Sequence, residues 1–150
     1  MLDLTAEDKY YYWLMMSIGL DKELVGYIRD CVESKEEVSD LIFELYNESQ
    51  NRNALKRVLY LSDIKSAAIN KMSVKARINN YFYKHLLNKT FTPSQIGEYL
   101  EKIYELETDW SDYEWISENY SLARTGVFSF EDADNRLRKY LKDNASYNLE

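Results

Sequence analysis

The sequence of 150 residues has few of the residues that set sharp turns, cross-links or metal centres: one proline, four glycines, one cysteine and one histidine. Because Gly and Pro are the residues that most disfavour helix interiors, their scarcity favours long helices. The single Cys31 permits no intramolecular disulfide, and its place in an apolar helical pattern predicts that it packs as a small hydrophobic residue. The single His85 excludes a metal centre built from several imidazoles.

The sequence also lacks long hydrophobic runs. No apolar stretch approaches the roughly 20 residues of a membrane-spanning helix, and the N-terminus lacks the basic and apolar regions of a signal peptide. We therefore expect a cytoplasmic protein with no membrane partner. A chain of this length is typical of one domain, so we predict a single all-α domain over residues 1–148. The final Leu149 and Glu150 are interpreted as a cloning scar.

Aromatic and charged residues are abundant, and the charges are arranged in blocks. The chain has 14 tyrosines and 3 tryptophans. Residues 1–50 have 12 acids and 4 bases (net −8), residues 51–90 have 1 acid and 9 bases (net +8), and residues 91–150 have 13 acids and 6 bases (net −7). The simplest interpretation is that the acidic flanks neutralise the basic segment within the fold. Alternatively, an acidic surface binds a basic partner, or the basic segment binds nucleic acid.

Helical periodicity runs through nearly the whole chain, and no segment alternates strongly enough to require a strand. The sequence therefore predicts an all-α, single-domain bundle of about seven or eight helices. The clearest helix start is at Thr92, with Pro93 at the first helical position and Gln95 completing a capping box. Further starts are predicted from capping residues: Thr5 with Asp8, Asp21, Ser34 with Glu37, Ser111 with Glu114, and Ser129.

The segment Val74–Asn88 is predicted to be the central helix of the bundle, because it has apolar residues on two opposite sides. One side has Val74, Ile78, Tyr81, Phe82 and His85, and the other has Ala76, Tyr83 and Leu87. A helix that is apolar on both sides is usually buried by neighbours on both sides. A short helix is predicted after Ser62, with its boundary to the central helix within residues 70–73.

No pattern in the sequence indicates an enzyme, a metal site or a cofactor. His85 lies on an apolar helical face and is interpreted as a hydrogen-bonded core histidine. Nothing in the sequence places Cys31 beside it, as a nucleophilic pair would require. The acids at 109–118 and 131–134 lack the glycine-bearing loop of a calcium site, and several fall in first turns, where the helix dipole favours acids. We predict a non-enzymatic protein without metal or cofactor.

The last third of the chain combines rings with acids, and this combination predicts a surface that binds another protein. At interfaces, aromatic residues act as buried anchors and acids steer a basic partner towards them. The predicted partner-binding residues are Trp110, Asp112, Tyr113, Glu114, Trp115, Glu118 and Tyr120. The alternative interpretation assigns the rings to the core and the acids to a solvated face.

Two functional classes follow from these features. The first is a small acidic protein-binding protein; small bacterial immunity proteins, which neutralise a partner toxin, have a similar size and charge, although no motif supports the comparison. The second is a regulatory helical protein that binds nucleic acid through residues 51–90, with Arg77, Asn80 and Lys84 on the second helix of a helix-turn-helix. The acidity of the whole protein argues against the second class, because nucleic-acid-binding domains are commonly basic.

Overall fold

The structure, a computed structural model, describes residues 1–62 and 68–145. Within these two ranges the chain forms eight helices and no strand, with one isolated parallel bridge between Leu2 and Val38. The helices are α1 (Ala6–Ser17), α2 (Lys22–Glu33), α3 (Asp40–Asn47), α4 (Arg52–Leu61), α5 (Lys71–Leu87), α6 (Pro93–Leu106), α7 (Ser111–Arg124) and α8 (Phe130–Asn144). The predicted all-α class is confirmed. In the described part of the chain, no helix has the length and apolar character that crossing a bilayer requires.

Capping residues set the starts of three helices as predicted. At α1, the Thr5 hydroxyl accepts a hydrogen bond from the Asp8 backbone N–H (3.1 Å), and the Asp8 carboxylate accepts one from the Thr5 N–H (2.9 Å). Thr92 and Gln95 form the same reciprocal box at α6. Ser129 caps α8 by accepting a backbone hydrogen bond in its first turn. These three predictions are confirmed because N-capping hydrogen bonds join residues only three positions apart.

The predicted helix start at Ser34 is wrong. Ser34 is instead the C-cap of α2, and α3 begins one residue after Ser39, whose hydroxyl caps it. Backbone hydrogen bonds explain the difference: the Leu2 N–H donates to the Glu37 carbonyl and the Leu2 carbonyl accepts from the Ser39 N–H, both at 2.8 Å. This pairing engages the backbone on either side of residue 38 in a β-bridge, so the helix begins only after it.

The predicted capping box of Ser111 with Glu114 is also wrong. Ser111 is the first helical residue of α7, and the N-cap position is Trp110, which makes no side-chain capping hydrogen bond. Trp110 is buried, so packing of its ring fixes where the helix begins. Asp21 precedes α2 as predicted but does not cap it, because its Oδ1 accepts a hydrogen bond from Arg52 Nη2 at 3.1 Å.

The chain divides into two compact units, Met1–Val74 and Lys75–Glu150. In the first unit, α1 packs against α4, α2 against α3, and α3 against α4. Its core combines buried tyrosine and methionine side chains with fully buried aliphatic residues: Tyr11, Tyr12, Met15, Met16, Leu14, Leu24, Ile28, Ile42, Leu45, Leu55 and Leu59. The helix predicted after Ser62 lies mostly on residues 63–67, outside the described residues, and residues 68–70 at its predicted end are not helical. A single domain over residues 1–148 stays a prediction.

In the second unit, α6 packs against α7, and both contact α8. From Lys75 onward α5 adds Ile78 and Phe82 to this core, and neither side chain is exposed. The Phe82 ring stacks on Tyr99 of α6 at a centroid distance of 5.8 Å and lies 6.3 Å from Phe91. Aromatic contacts therefore hold α5 against the start of α6.

The two predicted apolar sides of α5 lie in different surroundings. On one side Ile78 and Phe82 are fully buried, while Tyr81 of the same side is half-buried. On the opposite side Tyr83 is only half-buried, and Leu87 is 45% exposed. The second side is open at its C-terminal end because Leu87 lines a groove rather than a packed interior.

Candidate functional site

Three of the seven residues predicted to bind a partner lie in the core. Trp110, Tyr113 and Tyr120 are 5%, 0% and 4% exposed. Rings buried to this extent stabilise the second unit and do not offer a contact surface. For these three rings the core interpretation applies.

Tyr113 belongs to a chain of hydrogen bonds inside the second unit. Its hydroxyl donates to Asn79 Oδ1 (2.7 Å), and Asn79 Nδ2 donates to the Tyr140 hydroxyl oxygen (3.2 Å). The Tyr140 hydroxyl donates to Asp112 Oδ2, which also accepts from Lys75 Nζ at 2.9 Å. Buried polar groups need such partners because desolvation without a hydrogen bond is costly. The network therefore gives Asp112 an internal role.

The network keeps Asp112 ionised. Burial by itself would raise the pKa of this carboxyl, but hydrogen bonds from Tyr140 and Lys75, together with the positive charge of Lys75, hold the pKa below its ordinary value. The Lys75 and Asp112 side chains are 15% and 27% exposed, so water screens this ion pair less than a surface pair.

Asp112→Asn is expected to lower the free energy of unfolding near pH 7 by about 1–3 kcal/mol, because Lys75 and Tyr140 lose a charged acceptor. The difference from wild type should shrink in acid. A lowered folded-state pKa gives stability that is present above the unfolded carboxyl pKa, about 3.9. That stability is lost as the pH falls through the folded-state pKa.

Urea unfolding at several pH values between about 7 and about 3 measures this effect. The matched control is Asp143→Asn, whose ion pair with Lys139 is exposed (52% and 77%) and should contribute little at any pH. A difference between wild type and the Asp112 variant that stays constant down to low pH would contradict the assigned role.

Tyr120 is held at both ends between α6 and α8. Its hydroxyl donates to Asp134 Oδ1 at 2.6 Å, and its ring covers Gly97, where a Cβ atom would lie 2.4 Å from Tyr120 Cε2. Burial, then the hydrogen bond to Asp134 and the charge of that carboxylate, raises the pKa of Tyr120 above its ordinary value. The sequence analysis missed Gly97, although a lone glycine inside a helical pattern is a signal of a close neighbour.

The other three predicted residues lie on one side of α7, where Trp115 and Glu118 are exposed and Glu114 is half-buried. Glu114, Trp115 and Glu118 share an arc of about 100° of the helix surface, and Leu122 continues it. Trp115 is 42% exposed and Leu122 is 37% exposed. We call these four residues the exposed stripe.

The surroundings of the exposed stripe are acidic. Residues 93–124 contain 8 acids and 2 bases, net −6. Burial, then the charge of Glu114, a hydrogen bond to it, and the charge of Glu118 raise the pKa of Tyr104 on α6. Among the described residues, no cation forms an ion pair with Glu118. The stripe therefore presents negative charge that the unit itself does not neutralise.

A cation and an apolar turn border Trp115. The Arg136 guanidinium of α8 lies 6.0 Å from the Trp115 ring centroid and 4.2 Å from that of Phe128. Val127 in the turn between α7 and α8 is 68% exposed, and Phe130, the first residue of α8, is 49% exposed. The sequence analysis did not identify this turn, because three apolar residues around a capping serine are equally typical of a packed helix start.

The residues of the nucleic-acid alternative lie on α5. Arg77 and Asn80 are half-buried, and Lys84 is exposed. A recognition helix places several side chains in the major groove of DNA, and Lys84 is the one fully exposed residue of the three. Within the basic segment, Lys75 pairs with Asp112, and Arg52 pairs with Asp21 of the first unit at 3.1 Å. These two pairs support the internal neutralisation of the basic segment.

Cys31 and His85, the two residues considered for nucleophilic catalysis, each lie beside a tyrosine. In residues 1–62 and 68–145, no group of three His, Cys, Asp or Glu side chains is arranged to hold a metal ion. Cys31 is 4% exposed, and its hydrogen bond with Tyr27, together with burial, raises the pKa of Tyr27 to about 12. The His85 ring lies 4.4 Å from Tyr81 and 5.1 Å from Phe91, measured between ring centroids.

No family model matches the chain, and neither the curated proteins nor the solved structures include a significant match. The function of the exposed stripe is therefore inferred from its own chemistry.

Proposed function

We propose that the chain is a non-enzymatic protein-binding protein that contacts a basic partner through the exposed stripe. The observation that supports this most is Trp115, which remains 42% exposed while Trp110 and Tyr113 on the same segment are buried. A large exposed ring costs free energy in water, and tryptophan is enriched among the few residues that dominate binding energy at interfaces.

The acids of the stripe supply the second part of the interface. Glu114 and Glu118 flank Trp115 on α7, within a segment of net charge −6. Unneutralised acids around an aromatic anchor increase the rate of encounter with a basic partner and disfavour acidic ones. A basic protein surface with a pocket for an indole ring is the partner of matching chemistry.

The turn between α7 and α8 enlarges this surface. A stable interface buries about 800 Å² on each partner, which is more than one helical stripe provides. Val127 follows α7 and Phe130 begins α8, and both are among the most exposed apolar side chains of the second unit. An interface that covers the stripe and this turn has an apolar centre with an acidic rim, as recognition surfaces usually have.

Trp115→Ala is expected to weaken partner binding by about 2 kcal/mol or more, roughly 30-fold. The thermal melt should change less than on removal of a buried ring, because Trp115 is 42% exposed. The matched control is Phe43→Ala, which removes a 54% exposed ring from α3 of the first unit. Wild type and both variants are immobilised and exposed to host proteins. A protein that wild type and the Phe43 variant retain, but the Trp115 variant does not, is purified and titrated by calorimetry.

Two further results distinguish this proposal from others. Reversing Glu114 and Glu118 to lysine should mainly slow association and flatten its salt dependence. If the Trp115 variant retains every protein that wild type retains, the stripe is not the interface. If wild type binds duplex DNA with a steep salt slope that Lys84→Ala reduces, the nucleic-acid alternative replaces the proposal.

Neutralisation of a toxin is one form that such binding takes. It is tested once the retained protein is purified, by assaying that protein's own toxicity with and without one equivalent of the chain. Unchanged toxicity of a tightly bound partner would leave the binding proposal intact and remove the toxin-neutralising one.

A further inference from the structure

A groove of about 590 Å³ lies in the second unit, where the end of α5 and the start of α6 meet the last turns of α8. Its floor includes the apolar side chains of Leu86, Leu87 and Phe91. The volume falls within the range of about 300–1,000 Å³ that is usual for small-molecule sites. An apolar floor of this size is suited to a short hydrocarbon chain.

Three cations, Lys89, Arg138 and Lys142, line the same groove, and its lining includes no acid. This concentration of positive charge is unusual in a protein of net charge −7. Arg138 donates a hydrogen bond to the neutral side chain of Asn135 at 2.9 Å, and within the described residues none of the three forms an ion pair. The groove therefore combines apolar surface with unneutralised cations.

The backbone at Lys89 gives a second, independent indication. Lys89 has φ +60°, and it is the one residue other than glycine with positive φ in the described ranges. Glycine is strongly favoured at such a position after a helix. A lysine that keeps this strained conformation suggests that its side chain is needed there, because strain of this kind is concentrated at functional sites.

We propose that the groove binds a small amphipathic carboxylate, with its hydrocarbon chain on the floor and its head group among the three cations. The volume favours a small ligand over a protein segment, and the cations select an acid over a neutral or basic amphiphile. This site uses α5, α6 and α8 and is independent of the binding surface on α7.

The probe is sodium decanoate, titrated calorimetrically into the full chain below the concentration at which it forms micelles. We expect saturable binding of one equivalent, with affinity rising about two- to fourfold for each methylene added between octanoate and decanoate. Decyltrimethylammonium has the chain with the opposite charge, and acetate has the charge without the chain. Neither should bind, because decyltrimethylammonium lacks the carboxylate and acetate lacks the hydrocarbon chain.

Variants of the cations test the head-group site. Arg138→Gln and Lys142→Gln should each weaken decanoate binding by about fivefold. Lys139→Gln is the matched control on the same helix, since Lys139 is 77% exposed, pairs with Asp143 and does not line the groove. Lys89→Gly should raise the melting temperature by relieving the positive φ and yet weaken binding, a combination that a purely structural role for Lys89 would not produce.

Several outcomes would overturn the proposal. One is equal binding of decanoate and decyltrimethylammonium, which would indicate a nonspecific apolar surface. Another is decanoate binding that Arg138→Gln and Lys142→Gln leave unchanged. A third is no binding of decanoate together with cation-dependent binding of an acidic, leucine-containing peptide, which would assign the groove to a protein partner.

Discussion

Gly97→Ala is expected to destabilise the protein by about 2 kcal/mol or more, measured by urea unfolding, because it introduces a methyl group where no space exists. The added Cβ would lie 2.4, 2.8 and 2.9 Å from three ring carbons of Tyr120. The ring cannot easily move aside, since its hydroxyl is bonded to Asp134. Relief of the clash would therefore require α6 and α7 to separate.

The same substitution at Gly26 is the matched control. Gly26 lies inside α2, and a Cβ there would have no neighbour within 4 Å. Gly26→Ala should stabilise the protein by about 0.5–1 kcal/mol, because alanine loses less backbone entropy than glycine in a helix. If Gly97→Ala and Gly26→Ala change the free energy of unfolding equally, close packing against Tyr120 does not exclude a side chain at residue 97.

Phe82→Ala is expected to cost about 3–5 kcal/mol, because it leaves a cavity among the rings of α5 and α6. Phe82 is fully buried and contacts Tyr99 and Phe91. The control is Phe130→Ala, which removes a 49% exposed ring of the same unit and should change stability by about 0.5 kcal/mol or less.

Calorimetric or urea melts of both phenylalanine variants measure this difference. If Phe82→Ala does not fold, the less drastic Phe82→Leu should still be destabilised relative to wild type, because leucine fills the ring's space incompletely. A loss below about 1 kcal/mol for Phe82→Ala would mean that the site collapses or that the ring is not part of the core.

The helix starts that the sequence predicted correctly are those set by short-range chemistry. Thr5, Thr92 and Ser129 cap helices through hydrogen bonds that span three residues, and such patterns can be recognised without knowing the fold. The start predicted at Ser34 failed because Leu2, more than 30 positions away, pairs with the backbone on either side of residue 38. A long-range β-bridge leaves no local signal.

The candidate surface was predictable only in part for a related reason. Trp110 and Trp115 are five positions apart in a segment rich in acids, yet one is 5% and the other 42% exposed. Tyrosine and tryptophan are common both in cores and at interfaces, so composition cannot separate them. The positions of the two tryptophans around the helix distinguish them only once the start of α7 is known. The sequence analysis placed that start at a capping box of Ser111 with Glu114, which was wrong.

The groove was not predictable from the sequence. Its cations come from residues 89, 138 and 142, which belong to two distant segments of the chain, and its floor comes from the end of the predicted central helix and from Phe91. The pattern of Val74–Asn88 indicated that Leu87 faces other residues, but periodicity does not tell a packed neighbour from an open groove.

The two buried tyrosine–carboxylate pairs limit the stability of this fold at alkaline pH. Burial and the adjacent carboxylates, Asp134 for Tyr120 and Asp112 for Tyr140, raise the pKa of both phenols. The stability that each raised pKa provides is fully present below the unfolded tyrosine pKa, about 10, and is lost as the pH rises towards the folded-state pKa. Between these two pKa values the folded phenols are protonated and the unfolded ones are ionised, so unfolding releases protons and a rising pH favours the unfolded chain. Asp112 affects stability in acid through its own lowered pKa and in base through the raised pKa of Tyr140. One carboxylate therefore helps to set both ends of the pH range in which the second unit is stable.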